Sequence, residues 1–282
     1  MYEPLRYHNL TDAQKLQVLQ AFHTCEFTPS TLWEKTYFPP FWYLNERSYF
    51  IKPRENLACV VYRNGLRRCY PADILVQRFI DKCKRKYDIT VVKELTNRLP
   101  GRTLSSVVPL LIDPAVGADI RLLHVVRDPR ASINSRIKLK WFPEYDNPYF
   151  EQRVQDYCHV IFQNIAVGKA LSEAFKHKYK LVFYRDIAAR PFDTAKEIFK
   201  FAGLEMTEKT LHWITNMTNP DKREEMKESR RPYSLVRDSE ANIDKWRSES
   251  PPERTRVIEE ICQPLIKLLE KISFEQEYIL SN

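Results

Sequence analysis

The sequence predicts an α/β fold with a central, mainly parallel sheet flanked by helices. Three observations predict it. Ile120-Arg-Leu-Leu-His-Val-Val126 is apolar nearly throughout, as expected of a central parallel strand covered on both faces. Ile89–Leu95 and Lys180–Tyr184 add two shorter apolar runs. Helical patterns lie between and after these runs, and that alternation is the signature of a parallel sheet.

Along the chain, Thr11-Asp-Ala-Gln14 reads as a capping box that opens a helix with Leu16, Leu19 and Phe22 on one face. Leu32–Tyr49 is aromatic and Pro-rich and reads as irregular surface structure. A helix is expected from Pro71 to about Tyr87, apolar at Ile74, Leu75, Phe79 and Ile80, and Leu104–Ile112 reads as another. A long helix is expected from Glu151 to Phe175, with Val154, Cys158, Ile161 and Ile165 aligned. Pro191 and Gly203 bound the next one. Ser250-Pro-Pro-Glu253 is a second capping box. It opens a helix apolar at Ile258, Ile261, Leu265, Leu268 and Ile272, with a kink expected at Pro264. No linker, acidic block or repeat divides the sequence, so residues 1–282 read as a single domain.

With 43% hydrophobic residues among 282, the chain can bury a sizeable core. The net charge of +8 suits a polyanionic partner. Lys82–Lys86 and Lys222–Arg231 are local positive clusters that read first as a solvated helix face or loop. No helix-turn-helix, zinc-finger or RNA-binding signature accompanies the charge, which argues against nucleic acid. No stretch has the apolar length of a membrane span, and the opening residues are not a secretory signal. The six cysteines lack zinc spacing, so no metal is expected. An even cysteine count and two sequons, Asn9-Leu-Thr11 and Asn216-Met-Thr218, are compatible with a secretory lumen, and the thiols could equally be free.

In parallel sheets, ligands bind at the carboxyl ends of strands. The most informative such position is Leu122-Leu-His-Val-Val-Arg127-Asp-Pro-Arg130-Ala-Ser-Ile-Asn-Ser135-Arg136. An apolar strand ends in an arginine and a helix starts within a few residues. The first helical turn offers backbone N–H groups to an anion, Arg127 a bidentate guanidinium, and Ser135 a hydroxyl two turns on. His124, inside the strand, reads as a packed core residue. The five glycines, at 65, 101, 117, 168 and 203, are too scattered for a Walker or dinucleotide loop, which excludes a nucleoside-triphosphate kinase. Leu99–Ser106, loosely like a phosphate loop, reads as a helix start.

This segment resembles the 3′-phosphate-binding motif of sulfotransferases that use 3′-phosphoadenosine-5′-phosphosulfate (PAPS), in particular the Golgi carbohydrate branch of the galactose, N-acetylglucosamine and N-acetylgalactosamine 6-O type. Leu181-Val-Phe-Tyr-Arg-Asp-Ile187 with Arg190-Pro191 and Phe201-Ala-Gly-Leu204 resembles a second family block. Tyr233-Ser-Leu-Val-Arg237-Asp-Ser239 with Trp246-Arg247 resembles a third, and Cys262 falls where that branch often has a cysteine. The resemblance implies a P-loop-type sulfotransferase fold, PAPS as donor, a glycan or glycosaminoglycan acceptor and a Golgi lumenal site. It assigns the 3′-phosphate to Arg127 and Ser135 and makes Arg237 and Arg247 candidates for further nucleotide contacts.

Tyr2-Glu-Pro-Leu5 resembles the segment shortly after the family's 5′-phosphosulfate loop. The expectation is therefore a domain truncated at its N-terminus, without the first strand–loop–helix unit. Its membrane anchor would be missing too. Glu3 is the candidate general base for the acceptor hydroxyl. The alternative is a non-catalytic relative that binds nucleotide or glycan.

Overall fold

The computed structural model describes residues 11–26, 43–45, 48–54, 57–62, 67–85, 89–223 and 236–281. They fall into two compact units, Met1–Ile120 and Arg121–Asn282.

In the first unit, helix α1 (Asp12–Thr24) starts at the capping box read from the sequence. The Thr11 hydroxyl accepts from the Gln14 amide at 3.3 Å, and the Gln14 side chain accepts from the Thr11 amide at 2.9 Å. The helix buries Val18, Leu19 and Ala21. Cys25, left-handed at φ 58°, ends α1 and is disulfide-bonded to Cys83. Strands β1 (Tyr43–Asn45), β2 (Ser48–Arg54), β3 (Leu57–Tyr62) and β4 (Arg67–Pro71) form an antiparallel sheet in chain order. It places strands on Tyr43–Asn45 and Ser48–Tyr49, which the sequence reading took as irregular. Asn64-Gly65, between β3 and β4, is the hairpin signal that could have revealed the last pair. Helix α2 (Ala72–Arg85) follows at once.

Ile89–Leu95 differs from its expectation. It is not a strand and pairs with none among the described residues. Val91 is 86% exposed and Ile89 52%. An apolar run becomes a buried strand only where neighbours supply ladder partners and cover. The predicted helix Leu104–Ile112 divides into a 3₁₀ turn, Leu104–Val107, and helix α3 (Val108–Ile112). Before it, Gly101 at φ 57° donates its N–H to Asp12 Oδ2 at 2.8 Å. Leu99–Ser106, expected as a helix start, leads into α3 through short 3₁₀ turns, and a carboxylate of the chain holds the glycine amide.

The second unit carries the parallel pair. Strand β5 (Leu122–Val126) runs beside β6 (Tyr179–Phe183), with Leu122 opposite Tyr179 and Val126 opposite Phe183. Between them lie α4 (Pro129–Lys138) and α5 (Phe150–Ala174). After β6 come α6 (Tyr184–Ala189), α7 (Pro191–Ala202), α8 (Glu208–Thr218), α9 (Trp246–Glu249) and α10 (Pro252–Ser281). Pro191 opens α7 and left-handed Gly203 closes it, as read from the sequence. Helix α10 runs through Pro264.

The core of this unit joins β5, β6, α4, α5 and α10. Ile133, Phe150, Val154, Ile258 and Leu265 are all but inaccessible. Cys158 and Cys262 form a disulfide inside this core, which bolts α5 to α10. Gly168 of α5 meets β6 so closely that a Cβ there would collide with the Tyr179 ring and hydroxyl. That hydroxyl is 2.9 Å from His124 Nδ1. Burial pushes the His124 pKa down to about 4 and the Tyr179 phenol up, so both stay neutral. The packed-core reading of His124 fits this pair. β5 itself departs from a strand covered on both faces, because Leu123 is 37% and Val125 54% exposed.

Candidate functional site

The site grows from the carboxyl end of β5. Val126 is the last buried strand residue, and Arg127 follows it where the chain leaves the sheet. The Arg127 guanidinium lies 4.2 Å above the centre of the Tyr184 ring. Tyr184 begins α6 just beyond β6, so the parallel register brings the two residues to the same end of the pair. The Tyr184 hydroxyl accepts a 2.7 Å hydrogen bond from Asn242. The amide thus anchors the ring against which the guanidinium lies. Its Nε atom is buried and has no hydrogen-bond partner among the described residues. A buried guanidinium N–H left unmatched is costly unless an acceptor completes it.

Next along the chain, Asp128 caps α4. Its carboxylate accepts the Arg130 amide at 2.8 Å and the Arg130 side chain at 2.7 to 3.2 Å. This corrects one expectation, because the Asp128 carboxylate already occupies one of the first-turn amides that an anion was to use. Pro129 at the start of the helix has none to offer. The first turn therefore offers an anion fewer free amides than the sequence implied.

Arg130 also reaches Glu259 of α10 at 2.7 Å and stacks on the Trp246 ring at 4.7 Å. Its two carboxylates keep the guanidinium firmly protonated, since they raise its pKa. Arg247 lies 4.6 Å from the centre of the same indole and pairs with Asp244 at 2.9 Å. Asn134, 3% exposed, bridges Arg254 at 2.5 Å and Glu249 at 3.1 Å.

The five residues singled out from sequence have different places. Arg127 stands at the strand end as expected. Ser135 lies half-buried on α4, six residues beyond Pro129 or about 9 Å along the helix. Arg237 is half-buried in the segment before α9, its amide bonded to the Met217 carbonyl at 3.1 Å. Arg247 is drawn into the Trp246 stack and is largely exposed. Glu3 lies outside the described residues.

The segment from Arg237 to Arg247 nonetheless converges on the β5–α4 junction. Ser239 binds the Ala188 carbonyl, Asn242 binds Tyr184, and Trp246 meets Arg130. Tyr184 and Asn242 had no assigned role in the sequence. Position just past a strand was a signal for Tyr184. Nothing local pointed to Asn242, which is 58 residues from its partner. Among the described residues, no group of His, Cys, Asp or Glu is arranged to hold a metal ion.

Comparison with known proteins identifies the family. The chain is similar to carbohydrate sulfotransferase 3 of Mus musculus, with 28% identity over 77% of this chain and 51% of that protein. It is also similar to carbohydrate sulfotransferase 3 of Homo sapiens, at 26% over 77% and 50%. Carbohydrate sulfotransferase 1 of Danio rerio matches at 24%, over 71% and 48%. The chain spans about half the length of the curated relatives it matches. The sulfotransferase domain model matches residues 55–272. That stretch contains β5, β6 and the Arg127, Arg130 and Trp246 cluster, and by it the chain belongs to the sulfotransferase family.

Proposed function

We propose that this chain takes part in the transfer of a sulfuryl group from PAPS to a sugar hydroxyl of a glycan or glycosaminoglycan. The observation that carries the reading is the buried, unmatched Nε of Arg127 at the carboxyl end of a parallel strand. A phosphate oxygen is the acceptor such a group lacks. The names of the relatives support a carbohydrate acceptor. The family match spans both compact units, which supports residues 1–282 acting as one sulfotransferase domain.

In the reaction, an acceptor oxygen attacks sulfur in line. The bond from sulfur to the bridging phosphate oxygen breaks, the hydroxyl proton passes to a base, and negative charge collects on the leaving nucleotide. Arg127 would hold the 3′-phosphate, so that donor position is set before the chemistry. Ser135 is the proposed second ligand of that phosphate, Arg237 and Arg247 are proposed to face the nucleotide, and Glu3 is the proposed base. The surplus of eight positive charges favours anionic donor and acceptor alike.

An oxidising, Golgi-lumenal setting is part of the proposal. It is supported by the Cys25–Cys83 and Cys158–Cys262 disulfides and by the absence of a free cysteine among the described residues. No helix among the described residues is long and apolar enough to cross a membrane.

Calorimetric titration of the chain with 3′-phosphoadenosine-5′-phosphate tests the reading. Binding is expected, and Arg127→Ala should weaken it by about 10- to 100-fold, the worth of a charge-assisted contact. A folded chain that ignores the nucleotide, or an Arg127→Ala variant that binds unchanged, would sink the assignment.

A further inference from the structure

Asn216-Met217-Thr218 matches the acceptor pattern for N-linked glycosylation. The pattern alone is weak, but the structure adds two observations. Helix α8 buries Ile214, and Asn216 comes two residues later, about 200° around the helix axis. Asn216 is accordingly exposed, and its side-chain nitrogen lies 3.2 Å from a ring nitrogen of the exposed His212. A substituent on that nitrogen points away from the core and displaces nothing buried. The second observation is the pair of disulfides, Cys25–Cys83 and Cys158–Cys262, which belong to an oxidising compartment.

One turn before Asn216 stands Trp213, 54% exposed. Residues three apart on a helix are neighbours on its surface. An apolar indole in water beside a sequon asparagine is the surface that the first sugars of a glycan would cover.

We propose that Asn216 carries an N-linked oligosaccharide whose first sugars lie over Trp213. The proposal rests on the oxidising-compartment part of the functional reading. The amide nitrogen forms a bond to the anomeric carbon of an oligosaccharide supplied on a lipid diphosphate. The anomeric carbon–oxygen bond breaks, and the diphosphate leaves with the amide proton.

The test expresses the full chain behind a cleavable secretory signal in eukaryotic cells and maps its peptides by mass spectrometry. The Asn216 peptide should carry a glycan that peptide N-glycosidase removes. Asn216→Gln and Thr218→Ala should abolish it, while Asn9→Gln should leave it in place. Iodide quenching assigned to Trp213, as wild type minus Trp213→Phe, should rise several-fold once the glycan is removed. A secreted, disulfide-bonded chain with an unmodified Asn216 overturns the site. A glycan that leaves Trp213 quenching unchanged overturns the packing. The compartment reading fails separately, if the native protein fractionates with reduced thiols, whatever happens at Asn216 in the secretory host.

Discussion

Arg127 and Tyr184 illustrate how a single contact can prepare a cation. The Tyr184 ring lies against the guanidinium, the Asn242 amide holds the ring hydroxyl, and the buried Nε–H has no partner among the described residues. Tyr184→Phe should keep the stacking and cost nucleotide affinity only a few-fold, whereas Tyr184→Ala should weaken it about tenfold. Equilibrium titration of both variants separates ring from hydroxyl. Arg127 could be read from the sequence because strand end and helix start are adjacent there. The Tyr184–Asn242 bond could not, because no local pattern links residues so far apart.

His124 makes a prediction of a different kind. It protonates near pH 6.5 in an unfolded chain but only near 4 in the fold, because burial disfavours its cation. Between those values the unfolded chain holds the extra proton. Stability from this group is therefore complete above pH 6.5, is lost as the pH falls toward 4, and levels off below. The loss amounts to about 3 kcal/mol. Urea unfolding across that range should show it, and His124→Gln should flatten the profile.

At the scale of elements, the Arg130 cluster joins α4, α9 and α10 through Asp128, Trp246 and Glu259. Arg130→Ala leaves two carboxylates without their cation and takes one of two guanidinium groups from the Trp246 ring. It should lower stability by about 2 kcal/mol, with Asp128 and Glu259 partly exposed and so partly screened. Because Asp128 also caps α4, the same variant should loosen the β5–α4 junction and weaken nucleotide binding. Arg130→Lys should restore charge but not the bidentate grip, and fall between. Thermal unfolding read beside titration distinguishes a stability effect from a positional one.

The helices of the second unit were legible because their apolar spacing meets the core that the structure forms. Val154, Cys158 and Ile165 on α5, and Ile258, Cys262 and Leu265 on α10, are such positions. Ile89–Leu95 was misread because an apolar run carries no record of whether a ladder partner exists. The antiparallel sheet was missed because its strands are rich in arginine, tyrosine and proline, and Asn64-Gly65 was passed over.

For the whole molecule, disulfides carry much of the stability argument. Cys158 and Cys262 are 104 residues apart, and both are buried in the core. Closing so long a loop restricts the unfolded chain, so Cys158→Ala with Cys262→Ala should lower stability by about 2–5 kcal/mol. The urea midpoint checks it. Production in an oxidising host should accordingly yield far more folded protein than production in a reducing cytosol.

The same bond has a consequence for any preparation exposed to protease. Tyr184, Asn242 and Trp246 all lie within the segment it closes, whereas Arg127 lies before it. A chain cut once between Cys158 and Cys262 remains one covalent molecule. Its two pieces migrate together on a gel until a thiol reductant is added, and such a nick shows only when reduced and unreduced lanes are run side by side.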